Sequence, residues 1–306
     1  MNTSSMTALI SAFSRAYHSR NNSVKIFDDS MAERFLTEEE YKQISFNMAK
    51  GISFFNPGFE GNEEDALRWI VDNQLSPSPL GRAAYTERML ENAVFLGVKQ
   101  YLIFAAGFDS FAYRQPLFAA GLQIFEIDHP LTSQEKQKRA EAFLEKPLEN
   151  LHYIQVDLTK DDWPEKLEES TAFDKHKTSF CSLLGISYYV TKTDFEHLIR
   201  AISDLVPDGS SIAFDYPDEL SYTAQAGERA KKQAAMAGAA GEEMKAGYSY
   251  AELEQILARY GFLIYEHLEP NEITEQYFKQ YNQANPEHKI TAFDNVNYCL
   301  GVKKQL

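Results

Sequence analysis

The fold is decided by Lys99-Gln-Tyr-Leu-Ile-Phe-Ala-Ala-Gly-Phe-Asp-Ser110, followed by Leu122-Gln-Ile-Phe-Glu-Ile-Asp-His-Pro130. The first run reads as a short apolar strand that ends in a small-residue turn and a helix start. The second is another strand, and its end carries two carboxylates, Glu126 and Asp128. Asp128 lies about twenty residues past Gly107, the interval at which a nucleotide-binding α/β unit holds its ribose. The pair therefore points to a cofactor that contains adenosine. An ordinary strand–turn–helix unit with a coincidental Asp is the alternative.

The turn narrows the choice of cofactor. A dinucleotide site wants G-x-G-x-x-G, so that backbone can approach a pyrophosphate and helix can pack on strand. Here the three positions are Ala105, Gly107 and Ser110. Two of them carry a Cβ where a pyrophosphate would crowd. S-adenosylmethionine (SAM) brings an adenosine and a ribose but no phosphate. One close-approach glycine and one ribose carboxylate suit it better than they suit NAD.

Three further motifs give these residues a family. They are Gly81-Arg82-Ala-Ala-Tyr85-Thr-Glu87, then Phe104-Ala-Ala-Gly-Phe-Asp-Ser-Phe-Ala-Tyr-Arg114, then Phe125-Glu-Ile-Asp-His-Pro130 with Lys136 beyond. Together they resemble the leucine carboxyl methyltransferase family, whose pattern is roughly R-T-x-x-x-D, L-G-A-G-L-D-T-R-x-Y-R and F-E-V-D-x-P with a nearby Lys. The resemblance runs from about Leu80 to Tyr265, with a weaker echo at Phe27-Asp-Asp-Ser-Met-Ala-Glu-Arg34. It implies a SAM-dependent O-methyltransferase with a Rossmann-like, seven-stranded, mostly parallel sheet, the class I methyltransferase fold. The implied acceptor is a carboxyl or hydroxyl oxygen, of a small molecule or of a protein C-terminus.

The resemblance also implies roles. Arg82 would hold the SAM carboxylate with its guanidinium fork. Ala106 and Gly107 would border the methionine end, and Asp128 would take the ribose. Asp157 and Leu158 would face the adenine. Read by itself, Arg82 opens a helix over 81–96, where the positive dipole end mildly disfavours it. Glu126 shares a strand face with Asp128, and only position at the strand tip favours Asp128. Asp109 or Ser110 reads as the N-cap of the next helix. Asp157 is equally a strand-ending turn residue.

One departure stands out. The family commonly has E-G-L-L-M-Y-L after the fourth strand, whereas Leu183-Leu-Gly-Ile-Ser-Tyr-Tyr-Val190 puts Leu184 at the Glu position. A role such as holding the SAM ammonium loses its carboxylate there. Leu183, Leu184 and Ile186 read as a continuous apolar strand end, where a restored carboxylate would be buried unpaired. No catalytic base stands out. His18, His129, His152, His176, His197, His267 and His288 are scattered and read mostly as surface or strand-edge residues. Tyr188, Tyr189 and Tyr216, near strand ends, are the candidates for the acceptor pocket.

Composition bounds the rest. The 306 residues are 44% hydrophobic and 13% aromatic, enough for one large α/β domain with a cap. A net charge of −15 disfavours nucleic acid and anionic membranes as partners. Lys136, Lys138 and Arg139 form a short basic cluster that reads as a solvated face. Cys181 and Cys299 sit in apolar runs and read as core thiols, with neither metal nor disulfide spacing. The start, Met1-Asn-Thr-Ser-Ser5, lacks a charged region and an apolar region, and no run approaches a membrane span. The expected location is the cytoplasm.

Strands are expected at 100–105, 122–127, 151–156, 178–184, 210–215, 262–268 and 293–302. Capping boxes are expected at Thr132 with Glu135, Thr193 with Glu196, and Ser249 with Glu252. Residues 1–80, helical at 7–17 and 37–50, read as a cap. Residues 81–306 read as the methyltransferase core, with 217–248 a lid-like insertion. A SAM-binding regulatory protein without activity is the rival from another class, and an NAD-dependent oxidoreductase is a third.

Overall fold

The computed structural model describes residues 5–159 and 163–304. Residues 1–4 of the chain start discussed above lie outside them. Seven strands form one sheet: β1 Gln100–Phe104, β2 Gln123–Asp128, β3 Leu151–Gln155, β4 Ser179–Leu183, β5 Ser211–Pro217, β6 Phe262–Leu268 and β7 Val296–Lys303. Their order is β3-β2-β1-β4-β5-β7-β6. The first five are parallel, and β7 runs antiparallel to both β5 and β6. This is a Rossmann-like sheet of the class I methyltransferase type. β1, β4 and β5 are buried from end to end, which is why they read as unbroken apolar runs. The chain leaves β1 toward β2 on one side and returns to β4 on the other. The carboxyl ends of β1 and β4 therefore flank the crevice where open α/β sheets bind ligands.

Strand alternation divides the core in two. Tyr101 and Ile103 point to one face, against Tyr85, Met89 and Leu90 of the Pro77–Phe95 helix. Leu102 and Phe104 point to the other, where Leu198 and Ile202 of the Lys192–Leu205 helix and Leu253 and Leu257 of the Tyr250–Arg259 helix pack. Both cysteines are buried and free.

The expected strand bounds hold within two residues, except that β7 begins three residues later than expected. The caps differ more. The Lys192–Leu205 helix is capped by Thr191 with Asp194, two residues before the expected pair. Thr191-Lys-Thr193-Asp194-Phe-Glu196 contains two overlapping boxes, and the earlier one wins. Thr132 is inside a helix, Pro130–Glu141, whose N-cap is His129. Proline at the first helical position was the signal for that start. Ser249 caps its helix, accepting from the Glu252 N–H at 3.2 Å, but the return bond from the Glu252 side chain that would complete the expected box is not formed.

The N-terminal region is helical. Phe13 and Tyr17 of the Met6–Asn21 helix, Ile44 of Glu38–Lys50 and Ile70 of Glu63–Ile70 share a cluster of their own with Leu75. A five-residue π turn, Val71–Leu75, leads into the Pro77–Phe95 helix. Residue 80 thus lies inside a helix rather than at a break. The 217–248 stretch contains the Glu228–Ala239 helix, whose Met236 packs on the N-terminal cluster.

The basic cluster is not a solvated face. Lys136 is buried and pairs with Glu126 at 2.8 Å, the two side chains being only 1% and 2% exposed. Arg139 reaches across to the N-terminal region and forks onto Glu40, with two contacts of 2.7 Å. Hydrogen bonds from Arg139 hold the Glu40 carboxyl down at about 2. Only Lys138 of the three is exposed. Glu126 is therefore turned to a structural lysine and not to the crevice. Burial pushes its carboxyl up to about 7, against the pull of Lys136.

Removing one partner of a buried pair leaves the other charge uncompensated. Lys136→Met is expected to cost about 3–5 kcal/mol at pH 8. The loss should shrink toward pH 5. A carboxyl whose folded-state pKa is raised binds its proton more readily when folded, so stability recovers as pH falls through that value. Chemical denaturation at the two pH values checks this, and an equal loss at both would contradict it.

Candidate active site

A cavity of about 650 Å³ opens at the carboxyl ends of β1 and β4. That size suits a small-molecule site. Its floor is the 105–110 turn. Ala105 has φ +48° and Gly107 φ +51°, so the chain makes two left-handed steps in three residues. Gly107 is the residue for such a step, and an added Cβ would also meet Ala8 at 3.1 Å. Asp128, at the tip of β2, fixes the turn. Its carboxylate accepts the Gly107 N–H at 2.6 Å and its neighbour His129 N–H at 2.7 Å. Burial raises the Asp128 carboxyl, and those two backbone donors oppose the rise.

A matching arrangement holds the β4 side. Gly185, with φ +70°, donates its N–H to Asp215 on β5 at 2.7 Å. The fully buried Asp215 also accepts the Tyr188 hydroxyl at 2.9 Å and pairs with Arg82 at 3.3 Å. A Cβ on Gly185 would meet the Arg82 guanidinium at 2.5 Å, so glycine is required there for space as well as for φ. Arg82 sits in the second turn of its helix, not at the start. The dipole mismatch inferred for it does not exist. What keeps it in place is Asp215.

The turn is also clamped from the N-terminal side. Asp29 accepts the Ser110 hydroxyl at 2.6 Å and Arg15 Nε at 2.8 Å, and lies 3.5 Å from Arg114 Nε. Arg15 donates on to the Phe108 carbonyl at 2.7 Å. Burial would raise Asp29, but Arg15, Arg114 and Ser110 together hold it below the usual carboxylate range. Arg114 also forks onto Glu87 of the Pro77–Phe95 helix. Asp29, Arg15 and Glu87 carry no role in the sequence reading. The signals available were the Phe27–Arg34 echo and the carboxylate at the end of the R-T-x-x-x-D match. Asp109, not Ser110, makes the local cap, accepting the Phe111 N–H at 2.8 Å.

Arg82, Ala106, Gly107, Asp128, Leu184, Tyr188 and Tyr189 all line the cavity. Asp157, Leu158 and Tyr216 do not. Asp157 follows β3 and accepts the Thr159 N–H and hydroxyl at 3.0 and 2.6 Å. Its strand pairs with β2 beside Asp128, so it stands just past the lip. Tyr216 fails as a pocket residue by alternation. Asp215 points into the Arg82 side, so Tyr216 points to the opposite face, where its hydroxyl meets His267 Nε2 at 2.7 Å. Leu184 is half-buried on the cavity wall, while Leu183 and Ile186 are core. The apolar strand end is therefore not continuous through it.

None of the seven histidines lines the cavity. His18 is buried rather than at a surface. It accepts the Ile26 N–H at 2.9 Å, and burial holds its pKa down at about 4. Among the described residues no group of three metal-ligating side chains occurs, and no helix is long and apolar enough to cross a membrane.

Comparison with known proteins agrees with this geometry. The model of the family described as leucine carboxyl methyltransferase matches residues 8–203. The chain belongs to that family. The Bacillus subtilis (strain 168) protein named "Putative S-adenosyl-L-methionine-dependent methyltransferase YktD" is 43% identical over 99% of both chains. A Mycobacterium marinum protein of like name is 32% identical over 58% of each. In fold, the chain resembles a DUF574 family protein of Streptomyces avermitilis, with TM-score 0.61, 12% identity and 98% of each chain covered. It also resembles a Thermobifida fusca protein titled a "putative methyltransferase", with TM-score 0.55, 11% identity and 100% and 97% covered. The protein is a SAM-dependent methyltransferase, and SAM is its cofactor. The oxidoreductase and the inactive SAM-binding regulator are set aside.

Ala105 holds a left-handed backbone that a side chain disfavours by roughly 1–2 kcal/mol. Strain of this kind collects at functional sites. Ala105→Gly is expected to stabilise the methyltransferase by about 1 kcal/mol in thermal melts. A lowered melting temperature would show that the Ala105 methyl contributes packing that outweighs the strain.

Proposed function

We propose that the methyltransferase transfers its methyl group to a carboxyl or hydroxyl oxygen of a small molecule held in this cavity. One observation carries the proposal: a single cavity joins the Gly107–Asp128 turn to a roofed space lined by Tyr189, Ile10 and Met236. When bound, SAM supplies a sulfonium methyl, whose C–S pair returns to sulfur as an acceptor oxygen's lone pair makes the new C–O bond. The residues fit that group. Asp128 presents a desolvated carboxylate at the place a ribose needs one. Arg82 gives Asp215 one nitrogen, and its side chain remains 20% exposed, leaving fork donors for the SAM carboxylate. Asp157 and Leu158, beyond the lip, would cover the adenine. Tyr188 has its hydroxyl committed to Asp215, so it shapes the pocket and Tyr189 faces the acceptor.

The chain's own contribution is positioning and exclusion of water. The Met6–Asn21 and Glu228–Ala239 helices roof the space, and Glu242 is tied to Ser5 at 2.8 Å and to Thr7. A carboxylate acceptor is already an anion and needs no base. A hydroxyl acceptor would give its proton to water or to Glu242. A protein C-terminus would have to enter beneath this roof, which favours the small molecule. The cytoplasm remains the proposed location.

S-adenosylhomocysteine (SAH) should raise the melting temperature, as a native-state ligand must, and NAD should not. Asp128→Asn should weaken SAH binding by about 1.5–3 kcal/mol, roughly 10- to 150-fold, in calorimetry. Arg82→Ala should weaken it comparably and also lower stability, because Asp215 is left buried without its cation. Wild-type affinity in Asp128→Asn would remove that residue from the site.

Leu184 offers a second test. Its side chain faces the cavity, so Leu184→Glu should melt close to wild type. The restored carboxylate should raise SAH affinity by meeting the ammonium. A large loss of stability would mean that the wall around Leu184 is packed as core.

A further inference from the structure

Buried polar atoms are normally hydrogen-bonded, and one that is not calls for an explanation. Gln74, Ser78, Arg82 and Thr86 all line the cavity and recur every four residues. That spacing sets them in a row along one side of the helical stretch. Gln74 belongs to the π turn, a feature frequent at functional sites. In this row only Arg82 has a charged partner, Asp215. Gln74 Oε1, Ser78 Oγ and Thr86 Oγ1 have no hydrogen-bond partner, and their residues are 4%, 7% and 1% exposed. The Ser76 hydroxyl is also unpartnered but does not line the cavity, so burial without a partner is not the criterion by itself.

The row has two ends. Thr86 adjoins Glu87, which is tied to Arg114 beside the cofactor turn. At the other end, the Asn73 carbonyl next to Gln74 accepts Arg229 of the roof helix at 2.9 Å. Gln74 and Ser78 therefore lie beneath the roof, on the far side of Arg82 from the turn.

We infer that Gln74 and Ser78 bind the methyl acceptor, and that the acceptor is a neutral molecule with at least two hydroxyl or amide groups. The inference rests on the small-molecule methyl-transfer reading above. Gln74 Oε1 can only accept, so it requires an O–H or N–H from the ligand. The Ser78 hydroxyl can give or take. A carboxylate on the ligand would set lone pairs against the Gln74 oxygen. A hydrocarbon would leave both groups unpaired. Sites that hydrogen-bond a ligand hydroxyl reject analogues lacking it far more strongly than apolar pockets distinguish shapes.

The test uses the full-length protein loaded with SAH, and catechol, 1,2-dimethoxybenzene and benzoate as probes. Binding is read by thermal shift and NMR, and transfer by label from methyl-tritiated SAM. Catechol should bind and be methylated in preference to the other two. Gln74→Leu and Ser78→Ala should each reduce kcat/KM for catechol tenfold or more, mainly through KM. SAH affinity should stay within twofold of wild type, and neither variant should melt lower. Gln74→Met is the second choice should Gln74→Leu fail to bind SAH. Preference for benzoate, unchanged selectivity in the variants, or no probe bound by the SAH-loaded wild type each overturns the inference. A wild type that does not bind SAH would instead remove the reading beneath it.

Discussion

Two left-handed glycine turns, each tied to a carboxylate on the neighbouring strand, keep the crevice open. Gly107 follows β1 and donates outward to Asp128 on β2. Gly185 follows β4 and donates outward, the other way, to Asp215 on β5. β1 and β4 are adjacent and parallel, so their loops would meet if both ran straight on. Each loop is instead drawn to the strand beyond it. The left-handed φ values are what let the two N–H groups turn to opposite sides, and the space left between them is the cavity floor.

The same carboxylates connect the floor to its walls. Asp215 reaches Arg82 and so fixes the long Pro77–Phe95 helix against β4 and β5. Asp29 plays the corresponding part for the N-terminal region, joining Arg15, Ser110 and Arg114 around the first turn. Each of these buried charges is matched by an opposite one and by further hydrogen bonds, the condition under which burial of an ion pair is tolerated. Their arrangement is costly to alter piecemeal. That explains why the N-terminal helices cannot be regarded as a removable cover: the 105–110 turn is hydrogen-bonded to them directly, through the Phe108 carbonyl.

The strands, Gly107 and Asp128 were legible in the sequence because their signals are local: an apolar run, a small-residue turn, a carboxylate at a strand tip. Family resemblance added Arg82, which composition alone does not distinguish from a surface arginine. What stayed illegible depends on distance in the chain. Lys136 and Arg139 look like a solvated basic face until Glu126 and Glu40 are seen across from them. Tyr216 reads as a pocket residue because it lies near a strand end, but strand alternation turns it to the face opposite Asp215. Asp29 lies 81 residues from the serine it holds, and no periodicity connects them. The overlapping boxes at Thr191 and Thr193 failed for the opposite reason, since two equally good local signals stood two residues apart.

On the reading proposed above, the long helix serves two ligands. Its inner face must bury apolar surface against β1, and Tyr85, Met89 and Leu90 do so. The adjoining face carries the four-residue row of polar groups into the cavity. Arg82, in the middle of that row, is held by Asp215, and this divides the wall at a fixed point. Polar groups on one side of it fall near the 105–110 turn, and those on the other fall under the roof. Gln74, in the π turn at Val71–Leu75, is the outermost side chain of that row, one four-residue step before Ser78. On that reading, acceptor and cofactor recognition depend on the same helix but on opposite sides of one ion pair, so a change at Gln74 or Ser78 leaves the Arg82–Asp215 pair in place.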